Sequence, residues 1–96
     1  RLMIDLSHAN SNKLFARQVD VARDVAAQLA DGEKRIVGTM IESHLVEGRQ
    51  NMVPGKPLVY GQSVTDACLG WEDSILALEL LAQGVRARRH AKPSEI

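Results

Sequence analysis

His8, Glu42 and Asp66 are the residues of this chain best suited to chemistry. Each stands where an apolar run gives way to a loop or a new helix. His8 follows Leu2-Met3-Ile4-Asp5-Leu6, Glu42 closes Ile36-Val37-Gly38-Thr39-Met40-Ile41, and Asp66 lies beyond the loop after Glu42. If both apolar runs are parallel strands, the three side chains gather at one edge of one sheet, the edge at which barrel enzymes do their chemistry. One imidazole and two carboxylates form a mixed nitrogen and oxygen set. Such a set suits Mn²⁺, Fe²⁺, Co²⁺ or Zn²⁺ better than Ca²⁺.

Each residue also has a plainer use. The separations along the chain are long and match no compact motif such as HExxH. A histidine in a polar loop is commonly a surface group. A carboxylate at the end of a buried strand needs a partner, because leaving it bare costs about several kcal/mol, and a lysine or arginine serves as well as an ion. Asp66 fits the acidic position of a capping box, Ser63-x-x-Asp66. His44 shares the Glu42 side of the strand and reads as a loop group one step from any ligand. Cys68, two residues past Asp66, reads as a small buried apolar group, and Trp71 as core. Lys13, Lys34 and Lys56 show no arrangement that separates a phosphate contact from a solvated charge. There is no G-x-S-x-G, no Walker loop and no G-x-G-x-x-G, so catalytic and substrate-binding residues are not assigned.

The elements that must position these groups follow from periodicity. Residues 2–6 and 35–42 are short and apolar, as buried parallel strands are. Between them, Phe15, Val19, Ala22, Ala26 and Leu29 recur at three and four residues and predict a helix over 13–30, capped by Ser11 or Asn12 and ended by Gly32. Residues 43–62 carry Gly48, Pro54, Gly55, Pro57 and Gly61 and read as a long functional loop. A short helix is expected from Ser63, broken by Gly70. A last helix over 71–89 would carry Trp71, Ile75, Leu78, Ala82 and Val85 on one face. Residues 92–96 read as a disordered tail. The order is β-α-β-α, with residues 1–91 as one α/β unit that wants more strands beside it.

Composition narrows the partners. With 12 basic and 12 acidic side chains, the net charge of zero gives no attraction to nucleic acid or an anionic membrane. No apolar stretch approaches the roughly 20 residues of a membrane span. A single cysteine, Cys68, rules out an intrachain disulfide and points to a reducing, cytoplasmic setting.

Three stretches are far more specific. Asp5-Leu6-Ser7-His8-Ala9-Asn10-Ser11-Asn12-Lys13 resembles the D-x-S-H-A-N-S-x-K motif of type I DAHP synthases (3-deoxy-D-arabino-heptulosonate 7-phosphate synthases). The stretch from Gly38 through Glu42-Ser43-His44-Leu45 to Gln50 resembles that family's G-x-M-x-E-S-H-L-x-E-G-N-Q, with Arg49 where the family has Asn. Tyr60-Gly61-Gln62-Ser63-Val64-Thr65-Asp66-Ala67-Cys68-Leu69-Gly70-Trp71 resembles its Y-G-x-S-x-T-D-A-C-x-G-W. The resemblance runs over about residues 2–89.

It implies a (β/α)8 TIM barrel of which this chain is the C-terminal part, strands seven and eight with their helices. It also implies a divalent-metal enzyme that condenses phosphoenolpyruvate with erythrose 4-phosphate, the first step of the shikimate pathway to aromatic amino acids. His8, Glu42 and Asp66 would then be three of four protein ligands. The fourth, a cysteine, and the cationic groups that hold phosphoenolpyruvate lie earlier in the family's chain. The expectation is therefore a cytoplasmic, homo-oligomeric enzyme when intact and an inactive piece when alone. Two other readings stand beside it: a non-catalytic piece that self-associates through open strand edges and bare apolar helix faces, and a weak divalent-metal module.

Overall fold

The computed structural model describes residues 1–90. Strand β1 (Leu2–Asp5) and strand β2 (Ile36–Met40) pair in parallel, Ile4 beside Thr39 and Asp5 beside Met40. One bond beyond the strand, Leu6 N–H to Met40 O at 2.9 Å, carries the ladder to the threshold of the loops. Ile36, Val37 and Thr39 favour the extended backbone because two heavy atoms on Cβ restrict χ1. Helix α1 (Gln18–Ala30) connects the two strands. Gly32 ends the connection in the left-handed region expected of it, at φ 101°.

Helix α1 begins five residues later than its periodicity predicts. His8, Asn12 and Lys13 all have positive φ, at 51°, 53° and 60°. A 3₁₀ turn at His8–Ser11 and another at Phe15–Arg17 fill the interval. Neither Ser11 nor Asn12 caps the helix, and the Ser11 hydroxyl donates back to His8 O instead. Non-glycine residues in the left-handed region carry strain of about 1–3 kcal/mol each and tend to cluster at functional sites.

The stretch read as one loop contains strand β3 (Val46–Arg49) and the short strand β4 (Gln62–Ser63), paired in parallel. The turn between them is closed by Gln50. Its amide donates to Val59 O and Gln62 O and accepts from Val59 N–H. The short helix expected after Ser63 does not form. Its backbone groups are used in extended pairing: Cys68 and Gly48 exchange hydrogen bonds, Leu69 N–H donates to Glu42 O, and His44 N–H donates to Leu69 O. The Ser63 hydroxyl accepts from Thr65 N–H, a local turn in place of a capping box.

Helix α2 (Trp71–His90) lies where predicted, but only part of the expected face turns inward: Val85 packs against the core and Ala82 is half-buried. Ser74, Ala77, Leu81 and Gly84 are buried, whereas Trp71, Ile75 and Leu78 are exposed. The small residues let the two helices approach. A Cβ on Gly84 would stand 2.7 Å from Ala26 O. Leu6, Val19, Ala22, Val25, Leu29, Ile36, Leu69, Ala77 and Leu81 form one core. Arg88 ties the far end of α2 to the α1–β2 connection through Glu33 O and Ile36 O. The expected tail, 92–96, lies outside the described residues.

Candidate metal centre

His8 is delivered by the turn after β1. Asp5, the last residue of that strand, organises the turn with both carboxylate oxygens: Ser7 N–H donates to Oδ1 at 2.8 Å and His8 Nδ1 sits 2.8 Å from Oδ2. Asn10 Nδ2 donates to Asp5 O at 2.6 Å, and Lys13 N–H donates to His8 O at 2.7 Å. A carboxylate at Nδ1 fixes the tautomer with the proton there, so Nε2 keeps its lone pair. Nε2 faces the Glu42 carboxylate at 3.4 Å and the Asp66 carboxylate at 3.6 Å.

Glu42 sits two residues beyond β2 and is half-buried. Among the described residues it has no lysine or arginine partner. The Ser7 hydroxyl donates to its Oε1, in a hydrogen bond that keeps the carboxylate turned toward His8. Its backbone is held from two directions. Its N–H donates to Gln18 Oε1 at 2.8 Å, and its carbonyl accepts from Gln18 Nε2 at 3.0 Å and from Leu69 N–H at 3.0 Å. Asp66 is the exposed member of the set, its side chain 66% accessible against 18% for Glu42. Arg49 Nε donates to Thr65 O at 2.7 Å and so anchors the loop immediately before Asp66.

One donor atom from each of His8, Glu42 and Asp66 lies within 4.8 Å of the others. Ligands about 2.1 Å from a shared ion in tetrahedral arrangement stand ~3.4 Å apart, close to the observed His8 distances of 3.4 and 3.6 Å. The two His8 separations therefore fit a shared divalent cation, as do the donor types, and the third pair lies within 4.8 Å. The electrostatics agree. The hydrogen bond to Asp5, and next the charge of Glu42, raise the His8 pKa, and the same hydrogen bond lowers that of Asp5. A corner that draws a proton to the imidazole draws a cation to the same place, and the two compete.

The cluster forms one side of a pocket of ≈ 680 Å³ whose lining includes Ser7, Lys13, Phe15, Arg49 and Thr65. His44 lies apart, with its Nδ1 accepting its neighbour's Leu45 N–H. Cys68 is buried, burial pushes its thiol pKa up, and its Sγ donates to Asp66 O. Trp71, expected in the core, is 60% exposed.

The sequence reading missed Gln18 and the separate parts played by Asp5 and Ser7. A signal for Gln18 was present. It occupies the buried stripe of α1, at 18, 22, 25 and 29, where an amide is out of place unless it has partners. Among the described residues, no helix is long and apolar enough to cross a membrane.

Comparison with known proteins carries these motifs further. The profile of the DAHP synthetase I family matches residues 1–79. Over 89 residues the chain is 58% identical to the Phe-sensitive phospho-2-dehydro-3-deoxyheptonate aldolase of Escherichia coli, covering 93% of this chain and 25% of that protein. It is 58% identical over 90 residues to the phospho-2-dehydro-3-deoxyheptonate aldolase of Haemophilus influenzae, covering 94% and 25%. Among solved structures, the phospho-2-dehydro-3-deoxyheptonate aldolase of Francisella tularensis superposes with a TM-score of 0.86 at 46% identity, over 93% of this chain and 26% of that one. The chain thus spans about a quarter of the length of the curated relatives it matches.

Proposed function

The chain belongs to the DAHP synthetase I family, and from that premise we propose that it forms the C-terminal quarter of a (β/α)8 barrel enzyme. That enzyme joins phosphoenolpyruvate to erythrose 4-phosphate and releases phosphate at the entry to the shikimate pathway. The supporting observation is the convergence of His8, Glu42 and Asp66 from three separate segments onto one point at the carboxyl end of β1 and β2.

In this reading those three residues hold a divalent ion, Mn²⁺, Fe²⁺, Co²⁺ or Zn²⁺. When bound, such an ion supplies Lewis acidity toward the aldehyde oxygen of erythrose 4-phosphate. The chain's own residues prepare the place. The Asp5 carboxylate accepts the hydrogen bond from His8 Nδ1–H and leaves Nε2 free. Ser7 turns the Glu42 carboxylate inward. Lys13 and Arg49 put positive charge on the pocket wall that two phosphorylated substrates would approach. The reaction itself balances simply: the methylene carbon of phosphoenolpyruvate attacks the aldehyde carbon, water adds at the enol carbon, and inorganic phosphate departs.

Alone, the chain lacks the fourth ligand and the cationic groups that the family carries earlier, and it turns over nothing. In this reading the intact enzyme is a cytoplasmic homo-oligomer. A chimera tests the reading: the preceding three-quarters of the Escherichia coli relative joined to this chain. We expect metal-dependent consumption of phosphoenolpyruvate by the chimera and none by the chain alone. A folded chimera without turnover, or an isolated chain that turns over, would refute it.

A further inference from the structure

The side chain of Gln18 is fully buried, yet it is polar at both ends. A primary amide buried without partners is destabilising, so its presence on the apolar stripe of α1 needs a reason. The structure supplies one. Both ends of the amide bond to the backbone of one residue 24 positions away. Glu42 N–H donates to Oε1 at 2.8 Å, and Nε2 donates to Glu42 O at 3.0 Å. The last β1–β2 ladder bond is received by Met40 O. Beyond it, Gln18 acts as one more rung, a pair of hydrogen bonds that a neighbouring strand would otherwise provide.

We propose that Gln18 is a positioning residue for the cation site: its amide fixes the backbone of Glu42, and through it the carboxylate that faces His8 and Asp66. This rests on the metal reading given above, and nothing in it requires Gln18 to touch an ion or a substrate. The arrangement is well suited to the task. Gln18 is the first residue of α1, and the helix is locked into the core by Val19, Ala22, Val25 and Leu29. The clamp is therefore as rigid as the helix. Glu42 has left the β1–β2 ladder and would otherwise be held on its N–H side by nothing among the described residues.

The test uses the full chain, Gln18→Met, Gln18→Glu, and Val25→Ala as a control that loosens the packing of the same helix and removes no hydrogen bond to Glu42. Three quantities are read: melting temperature, hydrogen exchange of the Glu42 amide, and Mn²⁺ affinity by electron paramagnetic resonance. Residues one step from a metal ligand typically change affinity about 10- to 100-fold. Gln18→Met should speed Glu42 exchange and weaken Mn²⁺ binding by an amount in that range. Gln18→Glu, which keeps the acceptor for Glu42 N–H, should fall between it and the parent, and it remains informative if Gln18→Met does not fold. Val25→Ala should lower the melting temperature while leaving Mn²⁺ affinity within about twofold, outside that range.

If Gln18→Met speeds Glu42 exchange but leaves affinity unchanged, or if Val25→Ala weakens binding as much, Gln18 is only a structural residue and the inference fails. If the parent chain and His8→Ala give the same Mn²⁺ titration, the metal reading fails first, and this inference with it.

Discussion

The corner around His8 and the outer face of α2 differ in how complete they are. At the corner, Asp5, Ser7, Gln18 and Glu42 are joined by hydrogen bonds drawn from the turn, the helix and the strand. Among the described residues, no buried side-chain nitrogen or oxygen lacks a partner. On α2, by contrast, Trp71, Ile75 and Leu78 are each half exposed or more. The polar arrangement closes on itself within 90 residues, whereas the apolar burial does not. The reason is physical. Hydrogen bonds are short and directional and can be satisfied by a few local groups. Covering helix faces and both sides of a sheet takes further layers.

The contrast predicts that removing apolar atoms from the inner face is costly and removing them from the outer face is not. The largest expected effect is at Leu29, which is 3% exposed. Leu29→Ala should lose about 2–5 kcal/mol in urea unfolding, while Trp71→Ala should stay within about 0.5 kcal/mol. Equal losses would mean that Trp71 is covered in solution. Next comes the helix contact. Gly84→Ala places a methyl 2.7 Å from Ala26 O and 3.0 Å from Ala26 Cα. The backbone must shift, so a loss of about 1–3 kcal/mol is expected, although alanine is the better helix former. A gain in melting temperature would show that α1 and α2 are less tightly apposed than described.

The smallest effect concerns charge. Arg35 donates side-chain and backbone hydrogen bonds to Glu33 and holds its pKa down to about 2. A depressed carboxylate adds stability above its unfolded pKa, and this is lost as pH falls through the folded value. Because the pair is exposed, its contribution is small. Glu33→Gln should lower stability slightly and evenly above about pH 4, pH 7 included, with the difference fading as pH falls from about 4 to 2, which flattens the acid limb. A large change at pH 7 would contradict the assignment.

Much of this was legible in the sequence. The stripe of α1, the end at Gly32 and the span of α2 follow from local periodicity and chirality, which need no knowledge of distant residues. The convergence of His8, Glu42 and Asp66 was legible from motifs and from the rule that parallel strands end together. The strands β3 and β4 were not legible. Their pairing joins residues 46 and 62 across a glycine-rich stretch, and no periodic pattern records such a bond. The inward face of α2 was partly misread for a related reason. The helix carries apolar residues on two sides, and the side that packs is chosen by the small residues Ala77 and Gly84 opposite α1, not by the largest ones. The late start of α1 reflects the turn at Asn12 and Lys13, whose left-handed backbone is sustained by bonds to Ala9 O and His8 O.

Calorimetric titration of Mn²⁺ into the chain, with His8→Ala, Glu42→Ala and Asp66→Ala alongside, tests the assignment of the corner most directly. The expected result is one weak site in the parent chain, lost in each variant by more than the ~100-fold typical of a residue one step removed from an ion, with melting temperatures little changed. Binding that survives any two of these substitutions would contradict it.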